Sequence, residues 1–334
     1  MAALPEYSLS ILDVGHGNSA VLVQPEGVII IDTGTGSALL EFLSQNGIKH
    51  VSTILISHAD QDHIGGLVGL LSSGLFIFSD IFVNTDSHKT SVSWDALMYE
   101  LDKLHSQGEI NFNISLVAGA KLPPDLGRTH INVVSPTRYL AAKGPSSQDR
   151  QKRRITSNSI SGVIQILRDD NPIALLCGDI DHIGLDGLIE SGVNANGQYL
   201  VFPHHGGKPG ASDLSEFSKR VFELVSPKVL IFSIGRGRYD TPDPIIITEA
   251  KNMIPDIIIL CTQLSERCQS ATSLKGQKFH TDFYSRGSEN GKCCTGTIVI
   301  DLDRPDNFLP THESHQSFIT ECIDTPICQR EINH

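Results

Sequence analysis

Nothing in the 334 residues is long and apolar enough to span a bilayer; the longest hydrophobic segment, near GLFIF at residues 74–78, is short and interrupted. The first fifteen residues, MAALPEYSLSILDVG, lack the basic start and long apolar stretch of a secretory leader. No membrane association is expected, and a cytoplasmic location is. Basic residues are also scarce: Lys and Arg number 26 against 38 Asp and Glu, for a net charge of −12. That balance argues against a broad basic face for gripping duplex nucleic acid, because such a contact works by neutralising phosphates. It leaves room for a small pocket that handles one phosphate at a time. The seven cysteines are odd in number and irregular in spacing, which speaks against a disulfide framework. Cys177 and Cys261, flanked by apolar residues, read as buried small hydrophobes.

What is present is a globular composition, 40% hydrophobic and 19% charged, enough for a sizeable core. YSLSILDV, SAVLVQP, GVIIIDTG and VSTILIS read as four strands, with a helix near SALLEFLSQNG between the last two. A short helix is expected over residues 64–74. SVSWDALMYELDKLHSQG spaces Trp94, Leu97, Met98, Leu101 and Leu104 at helical intervals and predicts an amphipathic helix closed by Gly108. HINVVSP, SGVIQILRD, PIALLCGD, QYLVFPHHG and KVLIFSIG continue the strand-like series, giving two strand-rich halves with helices between them and no solenoid period. KGPSSQDRQKRRITSNS, almost devoid of apolar residues, predicts a surface loop. From about Asp303 the chain shows little periodicity, and an irregular tail is expected.

The densest chemistry lies in LISHADQDHIGG, residues 55–66, where His58, Asp60, Asp62 and His63 occupy six positions after an apolar strand. Polar groups leaving a buried strand end stay together rather than spreading over a surface. Clustered acids and imidazoles repel or desolvate one another unless a cation sits among them. Other chemistry-bearing residues also follow strand-like runs: Asp32 after GVIII, Asp179 after IALLCG, His204 after YLVF. Strand ends are where a sheet can aim side chains at a common point.

HADQDHIGG resembles the H-x-[H/D]-x-D-H signature of the metallo-β-lactamase fold hydrolases, and IIDTG, LLCGD and FPHHGG match their other motifs in order. More narrowly, LDVGHGNSAVLV, SHADQDHIGG, the N-S-x-S of Asn158, Ser159 and Ser161, and PHHG together resemble the hydrolase domain of the ComEC DNA-uptake proteins, over about residues 7–245. The resemblance implies an α/β (α+β) fold, a four-layer αβ/βα sandwich with its site at one edge between the sheets. It implies two divalent metal ions, manganese or zinc with magnesium an option. His58 and Asp60 would hold one with help from His204 or His205, Asp62 and His63 the other, and Asp179 would bridge. In an extended segment His204 and His205 point to opposite sides, so both on one ion is not expected. Oxygen ligands where many relatives have histidine harden the site and tilt it from zinc toward manganese or magnesium. Asp32 is expected to orient a ligand histidine from behind. His16 sits in the GHGNS turn, where these relatives commonly have Gln, and is expected beside the site as a supporting residue. Many relatives carry a histidine in the segment matching GRGRYDTPDP; here Thr241 and Asp243 stand instead, which removes the proton donor that position would supply.

The implied activity is metal-dependent hydrolysis of a phosphodiester by a metal-activated water, with DNA as substrate and single strands favoured. Asp62 and Asp179 are the expected catalytic carboxylates, while Asn158, Ser159 and Ser161 are expected to donate hydrogen bonds to the non-bridging phosphate oxygens. Lys152, Arg153 and Arg154 are candidates for phosphate contact. Two other readings fit the sequence. One is a hydrolase of a small molecule such as a cyclic nucleotide or a lactone; the other is a regulated effector subunit of a bacterial anti-phage defence complex, docking partner subunits through the C-terminal third. The expected organisation is a hydrolase domain over residues 1–250, strands and helix completing the sandwich or forming a docking extension over 251–302, and a tail over 303–334. His312, His315, Cys322 and Cys328 could together hold a zinc ion, but their spacing fits no familiar site and a plain tail is preferred.

Overall fold

The structure, a computed structural model, describes residues 3–84, 86, 89–210, 213–270, 274 and 283–329. The chain runs β1 (Ser8–Ile11), β2 (Ser19–Gln24), β3 (Gly27–Thr33), α1 (Ala38–Gln45), β4 (His50–Ile56), α2 (Gln61–Ile64), α3 (Leu67–Ser72), β5 (Ile77–Val83), α4 (Val92–Ser106) and β6 (Asn111–Asn113). It continues through β7 (Thr129–Ser135), α5 (Arg138–Lys143), β8 (Val163–Arg168), β9 (Asn171–Leu176), α6 (His182–Glu190), β10 (Tyr199–Val201), α7 (Leu214–Val225), β11 (Val229–Phe232) and α8 (Pro244–Met253). It closes with β12 (Ile258–Cys261), β13 (Ile298–Asp301), β14 (Phe308–Leu309) and α9 (His312–Cys322).

Two sheets form, one in the order β14-β13-β1-β2-β3-β4-β5-β6 and the other β12-β11-β10-β9-β8-β7. Alternation along the strands decides the layering. On β3 Ile29 and Ile31 face the space between the sheets while Ile30 faces outward; on β9 Ala174 and Leu176 face inward and Leu175 outward. The inner residues of both sheets make one apolar layer. Outside the first sheet, Leu39, Phe42 and Leu43 of α1, Leu67 and Leu70 of α3 and Trp94, Leu97 and Leu101 of α4 close a second layer. Outside the other sheet, Leu185 and Leu188 of α6, Phe217, Val221 and Phe222 of α7, Ile246 of α8 and Phe318 and Ile319 of α9 close a third. Helix, sheet, sheet and helix thus stack as a four-layer αβ/βα sandwich.

The helix read in SVSWDALMYELDKLHSQG spans Val92–Ser106, capped by the Ser91 hydroxyl accepting from the Trp94 N–H, and ends at Gly108 with φ +73°. The helix expected over 64–74 is two short ones, α2 and α3, broken at Gly65-Gly66. The polar loop after α5 is tied down: Ile155 is buried, Gln148 and Arg154 form a β-bridge, and Arg153 bonds both Asp149 and Asp186. The tail is not irregular as expected. β14 pairs with β13, and α9 buries His315, Phe318 and Ile319 at i, i+3 and i+4, a stripe too short to register as a period in the sequence. Segment 251–302 supplies β12 to one sheet and β13 to the other. Among the described residues no helix is long and apolar enough to cross a membrane.

Candidate metal centre

Strands β3, β4, β5 and β6 are parallel in one sheet, as are β9, β10, β11 and β12 in the other. The carboxyl ends of β3, β4, β9 and β10 release Asp32, His58, Asp179 and the His204-His205 pair, the place where open α/β sheets expose ligand sites. Asp32 is held with φ +57° near the end of β3, where its carboxylate accepts the Ser57 N–H at 2.7 Å and the Ser57 hydroxyl at 2.8 Å. The His63 Nδ1 lies 2.7 Å from Asp32 Oδ2. An Nδ1–H donated to that carboxylate leaves the Nε2 lone pair directed away, 3.3 Å from Asp179 Oδ1. Burial opposes charge on His63, but the Asp32 and Asp179 carboxylates outweigh it and raise its pKa well above the ordinary value.

The PHHG turn follows β10. Its two histidines are not extended as the sequence reading assumed: His204 (φ 52°, ψ 31°) and His205 (φ 56°, ψ 22°) are both left-handed, followed by Gly206 at φ +79°. A Cβ on Gly206 would lie 2.7 Å from both Phe232 and Pro242, so only glycine fits. The left-handed turn brings both imidazoles to Asp179, on different oxygens. His204 Nδ1 is 3.5 Å from Oδ2, beside His58 Nε2 at 3.8 Å. His205 Nε2 is 3.6 Å from Oδ1 and 3.4 Å from Asp62 Oδ2. His205 Nδ1 donates to the Ser233 carbonyl at 2.8 Å, so in the neutral ring Nε2 is the lone-pair nitrogen.

Burial would raise the pKa of Asp62, yet the His16, His205 and His63 imidazoles beside it hold it far below the ordinary carboxylate range. Asp179, deeper, is likewise lowered, its burial outweighed by His205, His63 and His204. Asp60 stands apart. Its Oδ2 is 3.7 Å from His58 Nε2, and its Oδ1 is paired with the Lys89 ammonium. Burial opposes ionisation of Asp60 too, but His58 and Lys89 keep it an anion.

Several expectations change. Ser159 and Ser161 are fully buried: the Ser159 hydroxyl donates to Asp181 at 2.6 Å, and Ser161 Oγ accepts the Asp179 N–H at 3.0 Å beside His58 Nδ1 at 3.5 Å. Both are spent on fixing the Asp179 loop and have no face left for a phosphate. Only Asn158 of that motif keeps its amide uncommitted among the described residues. Arg153 is paired with Asp149 and Asp186 and so is not available to a phosphate, while Lys152 and Arg154 are exposed. Asp243 caps α8 through the Ile245 N–H. Cys322 and Cys328 pack against the outer core, and His315 Nε2 meets Cys294 Sγ at 3.4 Å. Among the described residues the ligand-type side chains that converge form two groups, His58 with His63 and Asp179, and His16 with Asp62 and His205. His16, expected in a supporting place, thus stands among the potential ligands. Lys89 and Asn84 were missed. The Asn84 amide donates to the Ser57 and Ile160 carbonyls and ties the His58 loop to the Asn158 turn. Neither residue lies in a motif, and only the fold brings them near.

The donor set fits divalent cations. The Nε2 atoms of His58, His63, His204 and His205 and Asp179 Oδ1 are all buried without a hydrogen-bond partner. Lone pairs of neutral imidazoles facing carboxylate oxygens at 3.3–3.6 Å repel unless a cation or an added proton lies between them.

Residues 12–74 match the model of the metallo-beta-lactamase superfamily. The αβ/βα sandwich around this segment agrees with a metallo-hydrolase of that superfamily. Over 240 residues, 69% of the chain, the sequence is 22% identical to the competence protein ComA of Neisseria gonorrhoeae. The match spans 27% of that protein, so the chain corresponds to about a quarter of its length. Among solved structures it is similar to the metallo-beta-lactamase fold protein YhfI from Bacillus subtilis, at 12% identity and TM-score 0.44 over 76% of this chain and 96% of that one. It is also similar to the metallo hydrolase Igni18 from Ignicoccus hospitalis, at 16% identity and TM-score 0.43 over 76% and 94%. Human tRNase Z, short form, aligns at 14% identity and TM-score 0.38 over 69% and 93%.

Proposed function

We propose that the chain is a metal-dependent phosphodiesterase acting on nucleic acid, with single-stranded DNA the favoured substrate. The observation that carries this reading is the convergence of four imidazoles on the two oxygens of Asp179, with the Nε2 atoms of His58, His63 and His205 buried and without a hydrogen-bond partner there. Such an arrangement suits a pair of cations with one carboxylate between them. His58, His204 and Asp179 Oδ2, with Asp60 at the rim, would hold one; His63, His205, Asp62 and Asp179 Oδ1 would hold the other. Divalent ions there supply Lewis-acid charge to a phosphate oxygen and acidify water.

The chain's own groups do the rest. Asp32 and Ser57 fix the rings of His63 and His58, so the site costs little reorganisation. Asp62, kept ionised, accepts a hydrogen bond from an attacking water and aligns it. The Asn158 amide donates to a non-bridging phosphate oxygen, and Lys89 at the Asp60 rim adds positive charge where the polyanion enters. DNA is favoured by the motif resemblance to ComEC hydrolase domains and by the partial similarity to a competence protein. The net charge of −12 favours a substrate gripped at the site itself over one held along a broad surface.

The test is cleavage of single-stranded DNA, duplex DNA, RNA and bis-p-nitrophenyl phosphate with Mn²⁺ or Zn²⁺, by wild type and Asp62→Ala. Single-stranded DNA is expected to be cut fastest, and the substitution is expected to cost roughly a thousandfold, the several kcal/mol of a lost metal-site carboxylate. Turnover of the small ester alone points to the small-molecule hydrolase. Cleavage undiminished in Asp62→Ala means that the site is elsewhere.

A further inference from the structure

We infer that His16 is itself a metal ligand, completing the position formed by Asp62 and His205 and making the two ion positions unequal. The inference rests on the two-ion reading of the site and is independent of the substrate. His16 Nε2 lies 3.3 Å from Asp62 Oδ2, the same oxygen that His205 Nε2 approaches at 3.4 Å. The three ligand atoms converge within 4.8 Å of one another, as close a set as His58, His63 and Asp179 make. Two imidazole nitrogens on one carboxylate oxygen are satisfied by an ion among the three. The His205 nitrogen has no N–H to offer in the neutral ring, because its Nδ1–H is spent on Ser233.

The turn that carries His16 is built to hold it there. The Asn18 N–H donates to the Asp62 carbonyl at 3.1 Å, and the Ser233 hydroxyl donates to the Gly17 carbonyl at 2.6 Å. Gly17 has φ +142°, and a Cβ on it would stand 2.4 Å from the Asp62 oxygen, so the turn seats against the Asp62 backbone only with glycine. The His16 ring packs against His205 at 4.3 Å and against Tyr239 at 4.4 Å between centroids. A mobile surface histidine would have none of these restraints.

With His16 included, one position draws on three imidazoles, His16, His63 and His205, and on Asp62 and Asp179. The other has His58 and His204 with Asp179, and its remaining carboxylate, Asp60, is already paired with Lys89. More nitrogen and no competing ammonium make the His16 position the tighter one and the better one for zinc. The harder position, from which Lys89 must yield Asp60, takes its ion more weakly.

Calorimetric titration of the chelator-stripped full chain with Zn²⁺ tests this without any substrate. Wild type is expected to show two binding events. His16→Ala and His16→Gln are expected to weaken the tighter event by at least about tenfold and leave the weaker one within about twofold, the second event reporting that the site is still folded. His50→Ala, an exposed histidine on β4, should change neither. His16 variants that bind as wild type does overturn the inference. So does equal weakening of both events, which would make His16 a support for the loop rather than a ligand. A wild-type chain that takes up no Zn²⁺ defeats the two-ion reading and this inference together, whereas failure to cut DNA touches only the substrate proposed above.

Discussion

Two polar clusters sit seven residues apart in the chain and differ in one respect that separates scaffold from site. Around Asp186 on α6, Arg153 donates to Oδ2 at 2.6 Å and Arg220 of α7 to Oδ1 at 2.7 Å, while Arg153 also binds Asp149 at 2.7 Å. Each charge there meets its opposite inside the fold. Around Asp179 the Nε2 atoms of His58, His63 and His205 lie near carboxylate oxygens without a hydrogen-bond partner. A buried polar group left without a partner costs about 1–3 kcal/mol, and a fold retains several together only where something else completes them. Closed clusters hold elements together; a cluster of unpartnered ligand-type atoms is suited to an ion.

Three substitutions sharpen that contrast, and each can break it. Asp32→Asn keeps the shape behind His63 but removes the anion that aims its ring, so cation affinity is expected to fall about 10- to 100-fold with little loss of fold stability. Titration with Mn²⁺ alongside thermal unfolding separates the two effects. If stability drops while affinity holds, the Asp179 cluster is scaffold like its neighbour.

Asp186→Asn should do the opposite, costing about 1–2 kcal/mol of stability and leaving cation affinity alone, since Arg153 and Arg220 lose their shared anion in a partly hydrated site. Its pH signature has a definite sign. Burial opposes ionisation of Asp186, but the hydrogen bonds from Arg153 and Arg220 prevail and lower its pKa from 3.8. The stabilisation is therefore complete above about pH 4 and is lost as pH falls through the lower, folded-state value. Denaturant unfolding between pH 3 and 7 should show an acid limb that is steeper in wild type than in Asp186→Asn. Parallel limbs would remove this carboxylate from the account.

The smallest effect is expected at Lys89. Removing its ammonium in Lys89→Ala frees Asp60 and takes a like charge from the cation's neighbourhood, so affinity at the weaker position should rise roughly two- to threefold, the scale of a partly exposed ion pair. Weaker binding in the variant would mean that Lys89 supports the site rather than competing for it.

Legibility from sequence followed period and proximity. α4 was readable because Trp94, Leu97 and Leu101 recur at helical spacing over fifteen residues. α9 was not, because its buried stripe is only His315, Phe318 and Ile319. HADQDH could be read as one cluster because four ligand-type side chains lie within six positions. The environment of Ser159 and Ser161 could not, since their partners Asp181 and Asp179 lie 22 and 18 residues away across a strand pair. The PHHG turn was misjudged for a local reason: two non-glycine residues with positive φ are improbable by propensity, and the packing of Gly206 against Phe232 and Pro242 imposes them.

The amino-acid order by itself determined the strand and helix alternation, the two-faced strands that call for an inner and an outer core, and the bunching of acids and imidazoles at strand ends. Those follow from side-chain period and from residues adjacent in the chain. Only the tertiary structure decided which nitrogen faces which oxygen: His16 and His205, 189 positions apart, meet on one oxygen of Asp62, and Lys89 reaches Asp60 from a separate segment. Coordination depends on ångström distances between side chains whose backbones are joined only by the packing of two sheets, and no local pattern carries that information.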